Sequence, residues 1–231
     1  MTRMPWEVTR EMFLDEADVR RLLKSVRERV RAVSGRRRAA ARLDQLIIEG
    51  LLFSGLRNSE FCRLALADTP TGHGQSAFVV RGLGGDDRTV FIPKGLDKLV
   101  RGYVRDVRPL FLPEGVRHDD LRQPLIFSER RQPFERTGLY RRVVKVLTAA
   151  NLQDRASVQL LRHTYGYLAY LKTGGNLLFA QRQLGHSHPM VTVVYARFVN
   201  ESYADMADLI QDCETSRGTP KPTRALARKG R

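Results

Sequence analysis

The stretches LLRHTYGYLAYLK, residues 160–172, and LGHSHPMVTVVYARF, residues 184–198, carry the strongest signal in this sequence. They bring a cation, an imidazole and a phenol close together in the chain, as Arg162, His186 and, nine residues after that histidine, Tyr195. An arginine can hold a phosphate through paired hydrogen bonds, a histidine can donate another, and a tyrosine oxygen can attack the phosphorus. The two stretches therefore predict a site that binds a phosphodiester and bonds covalently to it.

A second arginine in a suitable setting lies earlier, in SGLRNSE, residues 54–60. Arg57 follows a glycine turn at a helix start, where free backbone amides favour an anion. The alternative is an ordinary surface arginine paired with Glu60, and the string alone leaves both open. Arg162 lies on a helix with mostly apolar neighbours, so its desolvation requires an anion, either a protein carboxylate or a phosphate.

The histidines and Tyr195 also have structural interpretations. His163 is better explained as a structural hydrogen-bonding residue than as a catalyst, and His188 as a solvated loop residue. A tyrosine in apolar company is usually a core residue, and only its spacing from His186 makes Tyr195 a candidate nucleophile. Because no Cys, Asp or Glu completes a tetrahedral set with these histidines at a familiar spacing, no metal site is predicted.

Composition predicts a basic, globular protein. The chain has 231 residues, 42% of them hydrophobic, and a formal net charge of +15. Because the cations are spread along the chain and release counterions from phosphates, double-stranded DNA is the expected partner; an arginine-rich proteome is the alternative explanation. Two cysteines without a CxxC spacing favour a reducing compartment. No segment approaches the roughly 18 apolar residues of a membrane span, so a cytoplasmic, nucleoid-associated location is expected.

Hydrophobic periodicity predicts a mainly α-helical domain that holds a small antiparallel β-sheet, an α+β fold. A first helix opens at Leu14-Asp15-Glu16, and a basic connection over 34–38 leads to a second helix over 39–54, capped by Gly55. Further helices are expected near 59–66, 94–108, 136–150, 157–173, 176–184 and 189–198, and strands at 77–81, 89–92 and 124–127. After Asn200, five apolar residues on one face predict a last amphipathic helix, and the basic tail from 214 to 231 is expected to be disordered.

Four separated motifs resemble the catalytic domain of the tyrosine recombinase (phage integrase) family. They are FLDEA at 13–17, GLRNSEFCRLALAD at 55–68, and the two stretches quoted first. The resemblance covers roughly Phe13 to Ile210 and implies a single catalytic domain over 13–213, after a short N-terminal segment over 1–12. It also implies that Arg57 and Arg162 bind the phosphate, that His186 lies on it, and that Tyr195 is the nucleophile.

By this resemblance the expected function is site-specific DNA recombination or integration through a 3′-phosphotyrosine intermediate. No ATP, metal or other cofactor is implied, because the phosphotyrosine keeps the bond energy. The alternatives are a catalytically attenuated accessory factor that binds DNA without cutting it, and a type IB topoisomerase. The expected partners besides DNA are further copies of the chain, as a tetramer on DNA assembled through the last helix, and an accessory recombinase or DNA-bending protein.

The chain departs from the family pattern at two positions. The family has a lysine acid in the hairpin turn, where this chain has Leu83, and a histidine three residues before the second arginine, where it has Gln159. Gln159 can bond to a phosphate oxygen but cannot titrate. Lys94 is the nearest lysine and the candidate acid; Arg88 could also reach inward, although an arginine is a poor proton donor. A third departure is that the resemblance begins almost at Met1, as in short recombinases that lack a separate core-binding domain.

Overall fold

The computed structural model describes residues 8–82, 85–188 and 190–198, which are mostly helical. In chain order the helices are α1 (Glu16–Arg31), α2 (Gly35–Ser54), α3 (Asn58–Arg63), α4 (Pro70–His73), α5 (Lys94–Asp106), α6 (Arg136–Ala149), α7 (Val158–Lys172), α8 (Leu177–Leu184) and α9 (Met190–Val193). Strands β1 (Ala77–Val80) and β2 (Arg88–Phe91) pair as an antiparallel sheet. The predicted fold class is confirmed.

Helix α2 forms the centre of the core. Helices α1, α5, α6 and α7 all pack against it, so apolar side chains are buried around most of its circumference. The predicted stripe is at most 1% exposed; it consists of Leu43, Leu46, Ile47 and Leu51. A helix enclosed in this way gains most of its stability from burial rather than from its own propensity. It is therefore the fixed element from which the following segment, with Arg57, projects.

Local sequence sets the ends of the first two helices. The Asp15 side chain caps α1 by accepting a hydrogen bond from the backbone N–H of Asp18 at 2.7 Å. Gly55 ends α2 in the left-handed region, with φ 64°, and its N–H donates to the carbonyl of Leu51. Both ends agree with the predictions, and the Gly55 turn leads directly to Arg57 at the start of α3.

The predicted basic connection between α1 and α2 is wrong. Helix α2 begins at Gly35, immediately after its N-cap Ser34, so Arg36, Arg37 and Arg38 lie in the first turn of the helix. A run of arginines has good helix propensity, and tertiary packing of the remainder of α2 extends the helix over it. These three cations are therefore held on a rigid element.

The hairpin matches the prediction to within one residue, whereas the third strand does not form. β1 and β2 pair from Ala77↔Phe91 to Val80↔Arg88, and their inner residues Phe78 and Val90 are fully buried. In the predicted strand 124–127, the two end residues each make one isolated bridge, to residues 65 and 133. A proline at the first of these positions has no N–H for a ladder. The tip residue Leu83 lies outside the described residues.

A second apolar cluster joins α7 and α8 to residues 194–198. The Phe13 ring stacks on Tyr167 at 4.5 Å between centroids and meets the Phe198 ring edge-on at 4.9 Å. The predicted helix over 189–198 is shorter: α9 is followed by a 3₁₀ turn over Ala196–Phe198, so Tyr195 lies in the turn between them. The predicted last helix and tail lie outside the described residues. Among the helices that the structure describes, none is long and apolar enough to cross a membrane.

Substituting Gly55 should test how tightly this core constrains the turn before Arg57. Gly55 and Gly35 both have positive φ, of 64° and 54°. A Cβ on Gly55 would lie 2.4 Å from the Tyr165 ring and 2.9 Å from Leu184, whereas one on Gly35 would meet nothing within 4 Å. We expect Gly35→Ala to lower the free energy of unfolding by about 1 kcal/mol, and Gly55→Ala by about 3 kcal/mol. Urea denaturation measures both; equal losses would contradict the packing argument.

Candidate active site

Arg57 is the N-cap residue of α3, half-exposed, and it makes contacts on two sides. Its guanidinium forms an ion pair with Glu60 at 2.8 Å and donates to the backbone carbonyl of Gly185 at 3.1 Å. Its backbone N–H donates to the Glu60 carboxylate at 2.7 Å. The surface ion pair considered as the alternative is therefore present. The second contact places the same guanidinium beside the segment that carries His186.

Arg162 lies on α7 and is only 6% exposed. Its guanidinium donates to the backbone carbonyls of Gly55 and, at 2.7 Å, Leu184. Both of these acceptors are neutral carbonyls. Because burying a guanidinium costs free energy that an anion would offset, Arg162 lacks its best partner in this state. Burial, and then the charge of Arg57, lower the pKa of Arg162 to about 10, so it remains protonated at neutral pH. The site therefore holds a buried cation that is partly solvated by the backbone.

Glu60 links Arg57 to the hairpin through Arg88. Arg88 makes a bidentate pair with the Glu60 carboxylate, at 2.9 and 2.8 Å, and its guanidinium lies against Gly185, where a Cβ would be 2.7 Å from its Nε. Burial opposes ionisation of Glu60, but hydrogen bonds from Arg88 and Arg57 outweigh it and lower its pKa to about 2. One carboxylate among three guanidinium groups leaves an excess of positive charge here.

His186 follows Gly185, which ends α8 with φ 64°. The imidazole is half-buried, and its Nδ1 lies 2.9 Å from the hydroxyl of Thr192, a fully buried residue. Burial, followed by the charges of Arg162 and Arg57, lowers the pKa of His186 to about 4, so the ring is neutral at pH 7. Because Nδ1 is bonded to Thr192, only Nε2 of the neutral ring is left to form a hydrogen bond with a ligand.

Tyr195 is 2% exposed, and its hydroxyl lies 3.0 Å from Nδ1 of His163. The phenol ring lies across Gly166, one helical turn further along α7, where a Cβ would be 2.4 Å from Cζ of the ring. Burial raises the pKa of Tyr195 to about 12, while the charge of Arg162 acts in the opposite direction. The phenol is therefore neutral in this state, and it is close enough to Arg162 to respond to that cation.

The fold thus gathers the four residues predicted to act on the phosphate. Arg57 and Arg162 are joined through the turn at Gly55 and the end of α8, His186 follows that end, and the charge of Arg162 reaches Tyr195. They come from four separate segments of the chain. The arrangement can bind an anion between guanidinium groups and present a phenol and an imidazole to it.

Two predicted site residues are not seen in this cluster. Gln159 is exposed in the first turn of α7, three residues before Arg162. Lys94 is exposed at the start of α5 and lines a different groove, with Gln45, Glu49 and Ser76. No contact of either residue with the four is found in the part of the chain that the structure describes. Both assignments stay predictions.

The structure adds residues that the sequence patterns did not assign to the site. His163 is the hydrogen-bonding partner of the Tyr195 phenol, Thr192 is the partner of the His186 imidazole, and Gly166 is the small residue under the phenol. Only Gly166 had a readable signal, because a glycine inside an apolar helix costs about 1 kcal/mol relative to alanine and often marks a close approach. Within the described residues no group of three or more histidines, cysteines or carboxylates is placed to hold a metal ion.

Comparison with known proteins bears on the family. A sequence model described as the phage integrase family matches residues 12–201. The chain belongs to the phage integrase family. Among curated members, it is similar to the tyrosine recombinase XerC of Listeria monocytogenes, with 26% identity over 162 residues, 68% of this chain and 50% of that protein. It is also similar to XerC of Halalkalibacterium halodurans, with 29% identity over 163 residues, 71% of this chain and 52% of that protein.

Solved structures of integrase-family proteins share the fold. A post-cleavage complex of the site-specific recombinase XerH with a palindromic difH substrate superposes with a TM-score of 0.66 and 21% identity, covering 86% of this chain and 53% of that one. The catalytic domain of bacteriophage HP1 integrase superposes with a TM-score of 0.55 and 21% identity, covering 87% of this chain and 96% of that domain. This chain spans about half the length of the curated relatives it matches.

The Glu60 carboxylate should be a measurable source of stability in this candidate site. Its pKa falls from 4.5 to about 2 on folding, so its stabilising effect is complete above pH 4.5 and is lost as the pH falls towards 2. We expect Glu60→Gln to lower the free energy of unfolding by about 1–3 kcal/mol at pH 7, because it leaves two arginines without their anion. The deficit should shrink steadily below pH 4.5.

Urea denaturation at several pH values measures this deficit. The matched control is Asp119→Asn, which removes a carboxylate paired with Arg117 in an exposed position. It should leave the unfolding free energy essentially unchanged, because water screens exposed pairs. A Glu60→Gln deficit that does not change with pH would show that the carboxylate's charge is not its source.

Proposed function

We propose that this chain is the catalytic part of a site-specific DNA recombinase or integrase. The observation that carries the proposal is the proximity of Arg57, Arg162 and His186, at the positions that the family motifs assign, together with Tyr195 within reach of the Arg162 charge. Arg57 and Arg162 bind the non-bridging oxygens of the scissile phosphate, and His186 donates to one of them through Nε2. Double-stranded DNA is the substrate, and no metal takes part.

In the proposed reaction the Tyr195 oxygen attacks the phosphorus and the bond from phosphorus to the 5′-oxygen breaks. The DNA is left with a 3′-phosphotyrosine and a free 5′-hydroxyl. The 5′-hydroxyl of a partner strand then attacks the same phosphorus, which releases the phenol and reseals the DNA. The guanidinium groups stabilise the charge of the pentacoordinate transition state, the same electrostatic principle as an oxyanion hole. Because a phosphodiester is exchanged for another phosphoester at each step, no ATP is needed.

The resting contacts indicate what DNA has to replace. Arg162 donates to two backbone carbonyls and Arg57 to a carboxylate and a carbonyl, so both guanidinium groups have weaker partners than a phosphate for at least one of their donors. Tyr195 is almost completely buried and must become accessible to phosphorus before it reacts. The proposal therefore includes a rearrangement around the phenol when DNA binds, which exposes its oxygen while the ring stays on α7 beside His163.

Tyr195→Phe should retain DNA binding and lose all covalent adduct, because only the hydroxyl is removed. Duplexes are first recovered from a random-sequence pool by binding to Tyr195→Phe, and a nicked version of each is incubated with the wild-type protein. A denaturing gel separates the adduct. Tyr140→Phe, which removes an exposed hydroxyl on α6, is the control and should form adduct normally. If wild type and Tyr195→Phe behave alike, the chain is not a working recombinase, and the accessory DNA-binding role takes its place.

The proton donor to the leaving oxygen is a separate proposal, and Lys94 remains the candidate. Arg88 lies closer to the site, but it is paired with Glu60 and is a poor proton donor. A 5′-bridging phosphorothiolate has a leaving group that departs without an acid, so it tests the assignment directly. We expect Lys94→Ala to cleave the recovered duplex about 10²-fold more slowly than wild type and to cleave its phosphorothiolate form normally.

The matched control is Lys98→Ala, which removes a lysine from the next turn of α5 in the same groove. It should cleave both substrates normally. Cleavage of the ordinary duplex by Lys94→Ala at the wild-type rate excludes Lys94 as the acid. Cleavage of the phosphorothiolate alone by the wild-type protein would mean that the chain has no acid of its own.

Assembly as a tetramer on DNA belongs to the same proposal. The apolar residues 203, 206, 209, 210 and 213 recur at helical spacing soon after the nucleophile segment. We expect a chain that lacks residues 201–231 to fold and bind a single recombination site, but to form no complex that joins two sites on a native gel. The full-length chain on the same duplexes is the reference. Loss of the cooperative unfolding transition on truncation would instead assign this segment to the protomer's own core.

A further inference from the structure

His163 contacts the reacting atom of the proposed reaction. It lies on α7 beside Arg162, and its Nδ1 is 3.0 Å from the Tyr195 hydroxyl oxygen. The side chain is partly buried, and the ring planes of the two residues are tilted by 55° with centroids 6.2 Å apart. The contact is therefore an edge-on hydrogen bond rather than ring stacking. The sequence explains His163 as a structural residue and does not predict this partner.

The packing of the phenol fixes that hydrogen bond. Gly166 lies three residues after His163 on the same face of α7, and the Tyr195 ring covers it so closely that a Cβ would be 2.7 Å from the hydroxyl oxygen. The neighbouring Val194 is also buried, which restricts the backbone of the turn. Tyr195 can thus pack here only because position 166 has no side chain. The hydroxyl is consequently directed to the imidazole.

The site's other candidate proton acceptors are engaged elsewhere or cannot titrate. The Nδ1 atom of His186 lies against Thr192, Glu60 is held by two arginines, and position 159 has an amide that does not titrate. His163 therefore has the one imidazole that meets the phenol within the described residues. Nδ1 can accept a proton from Tyr195 when Nε2 carries the ring hydrogen.

The electrostatic surroundings keep His163 in the form that can accept a proton. Burial and the neighbouring charge of Arg162 lower its pKa below the ordinary value, so the ring is neutral at pH 7. Among the described residues, Tyr195 and His186 also lie near it, and His186 is itself neutral at this pH. A bound phosphodiester would add a negative charge beside the cluster, which favours the protonated imidazole during the reaction.

We propose that His163 is a catalytic residue, the general base that takes the proton of Tyr195 as the phenol oxygen attacks the phosphorus. The proposal rests on the recombinase function proposed above. In the forward step the O–H bond of the phenol breaks, the proton moves to Nδ1, and the oxygen–phosphorus bond forms. The bond to the 5′-oxygen breaks, and that oxygen takes a proton from the leaving-group acid or from water. In the resealing step the imidazolium returns its proton to the departing phenol oxygen.

The tautomer of His163 tests the proposal without any DNA. In ¹⁵N-histidine NMR spectra of the full chain, the resonances of His163 are assigned by their loss in His163→Asn. We expect Nδ1 to be unprotonated and hydrogen-bonded, with the proton on Nε2. A neutral ring with its proton on Nδ1 would donate to the phenol and could not accept from it, and this result would overturn the proposal.

Adduct formation separates a base from a residue that only positions the phenol. His163→Asn keeps a hydrogen-bonding group near the place of Nδ1 but cannot accept a proton. We expect it to form adduct about 10²-fold more slowly than wild type at pH 7. His118→Asn, in an exposed loop, is the control and should react normally. Thermal unfolding of both variants verifies that the fold is retained.

A more acidic phenol at position 195 should need the base less. With 3,5-difluorotyrosine at this position, the difference in rate between the otherwise wild-type protein and the His163→Asn variant should shrink to less than about tenfold. A His163→Asn variant that reacts at the wild-type rate, or a difference that fluorination leaves unchanged, would show that His163 is not the base. Absence of adduct with the wild-type protein would contradict the recombinase function itself, and the tautomer measurement then decides whether the phenol–imidazole hydrogen bond has the proposed polarity.

Discussion

The buried guanidinium of Arg162 makes the hydrogen bonds on which the arrangement of the site depends. It donates to the carbonyl of Gly55, two residues before Arg57, and to the carbonyl of Leu184, two residues before His186. A single side chain therefore sets the separation of two segments of the candidate site that are far apart in sequence. The two neutral carbonyls each accept a hydrogen bond without cancelling the charge, so the positive potential remains available to a ligand. A carboxylate in the same place would have stabilised the cation and removed that potential.

The carboxylate of the site, Glu60, holds two arginines in place and does not pair with Arg162. Glu60 bonds to Arg57 and Arg88, and through Arg88 it connects the start of α3 to the second strand of the hairpin. The hairpin is anchored in the core by Phe78 and Val90. Consequently the orientation of Arg57 reflects the position of the sheet as well as that of its own short helix. Both the ion pairs of Glu60 and the packing of the hairpin therefore fix the position of Arg57.

Much of this architecture could be predicted from local sequence, because helix caps and apolar periodicity act over a few residues. Helix α1 begins after Asp15 and α2 ends at Gly55, as predicted, and the apolar stripe on α2 is buried. The strand predicted at 124–127 failed since a strand needs a partner, and its pairing depends on the tertiary position of its neighbours. Order and spacing led to the proposal of site residues that the fold brings near one another, namely Arg57, Arg162, His186 and Tyr195.

The contacts among the site residues could not be predicted from local sequence. Whether His163 faces the core, the solvent or Tyr195 depends on how residues 194–198 pack against α7, and no local pattern encodes that packing. The same holds for Thr192 beside His186 and for Arg88 beside Glu60. Gly166 is the exception, since its position inside an apolar helix already marks a close approach.

The burial of Tyr195 has a consequence for fidelity. If the chain acts on DNA as proposed, its net charge of +15 favours association with any duplex, since counterion release does not depend on sequence. An exposed nucleophile beside two arginines would then be offered to every phosphate along the genome. In the proposed reaction, the burial of the phenol over Gly166 separates the binding of DNA from its cleavage, because only encounters with enough binding energy to uncover the phenol oxygen lead to chemistry. Under the proposed function, the energy that keeps the tyrosine buried thereby serves as a threshold against indiscriminate strand breakage.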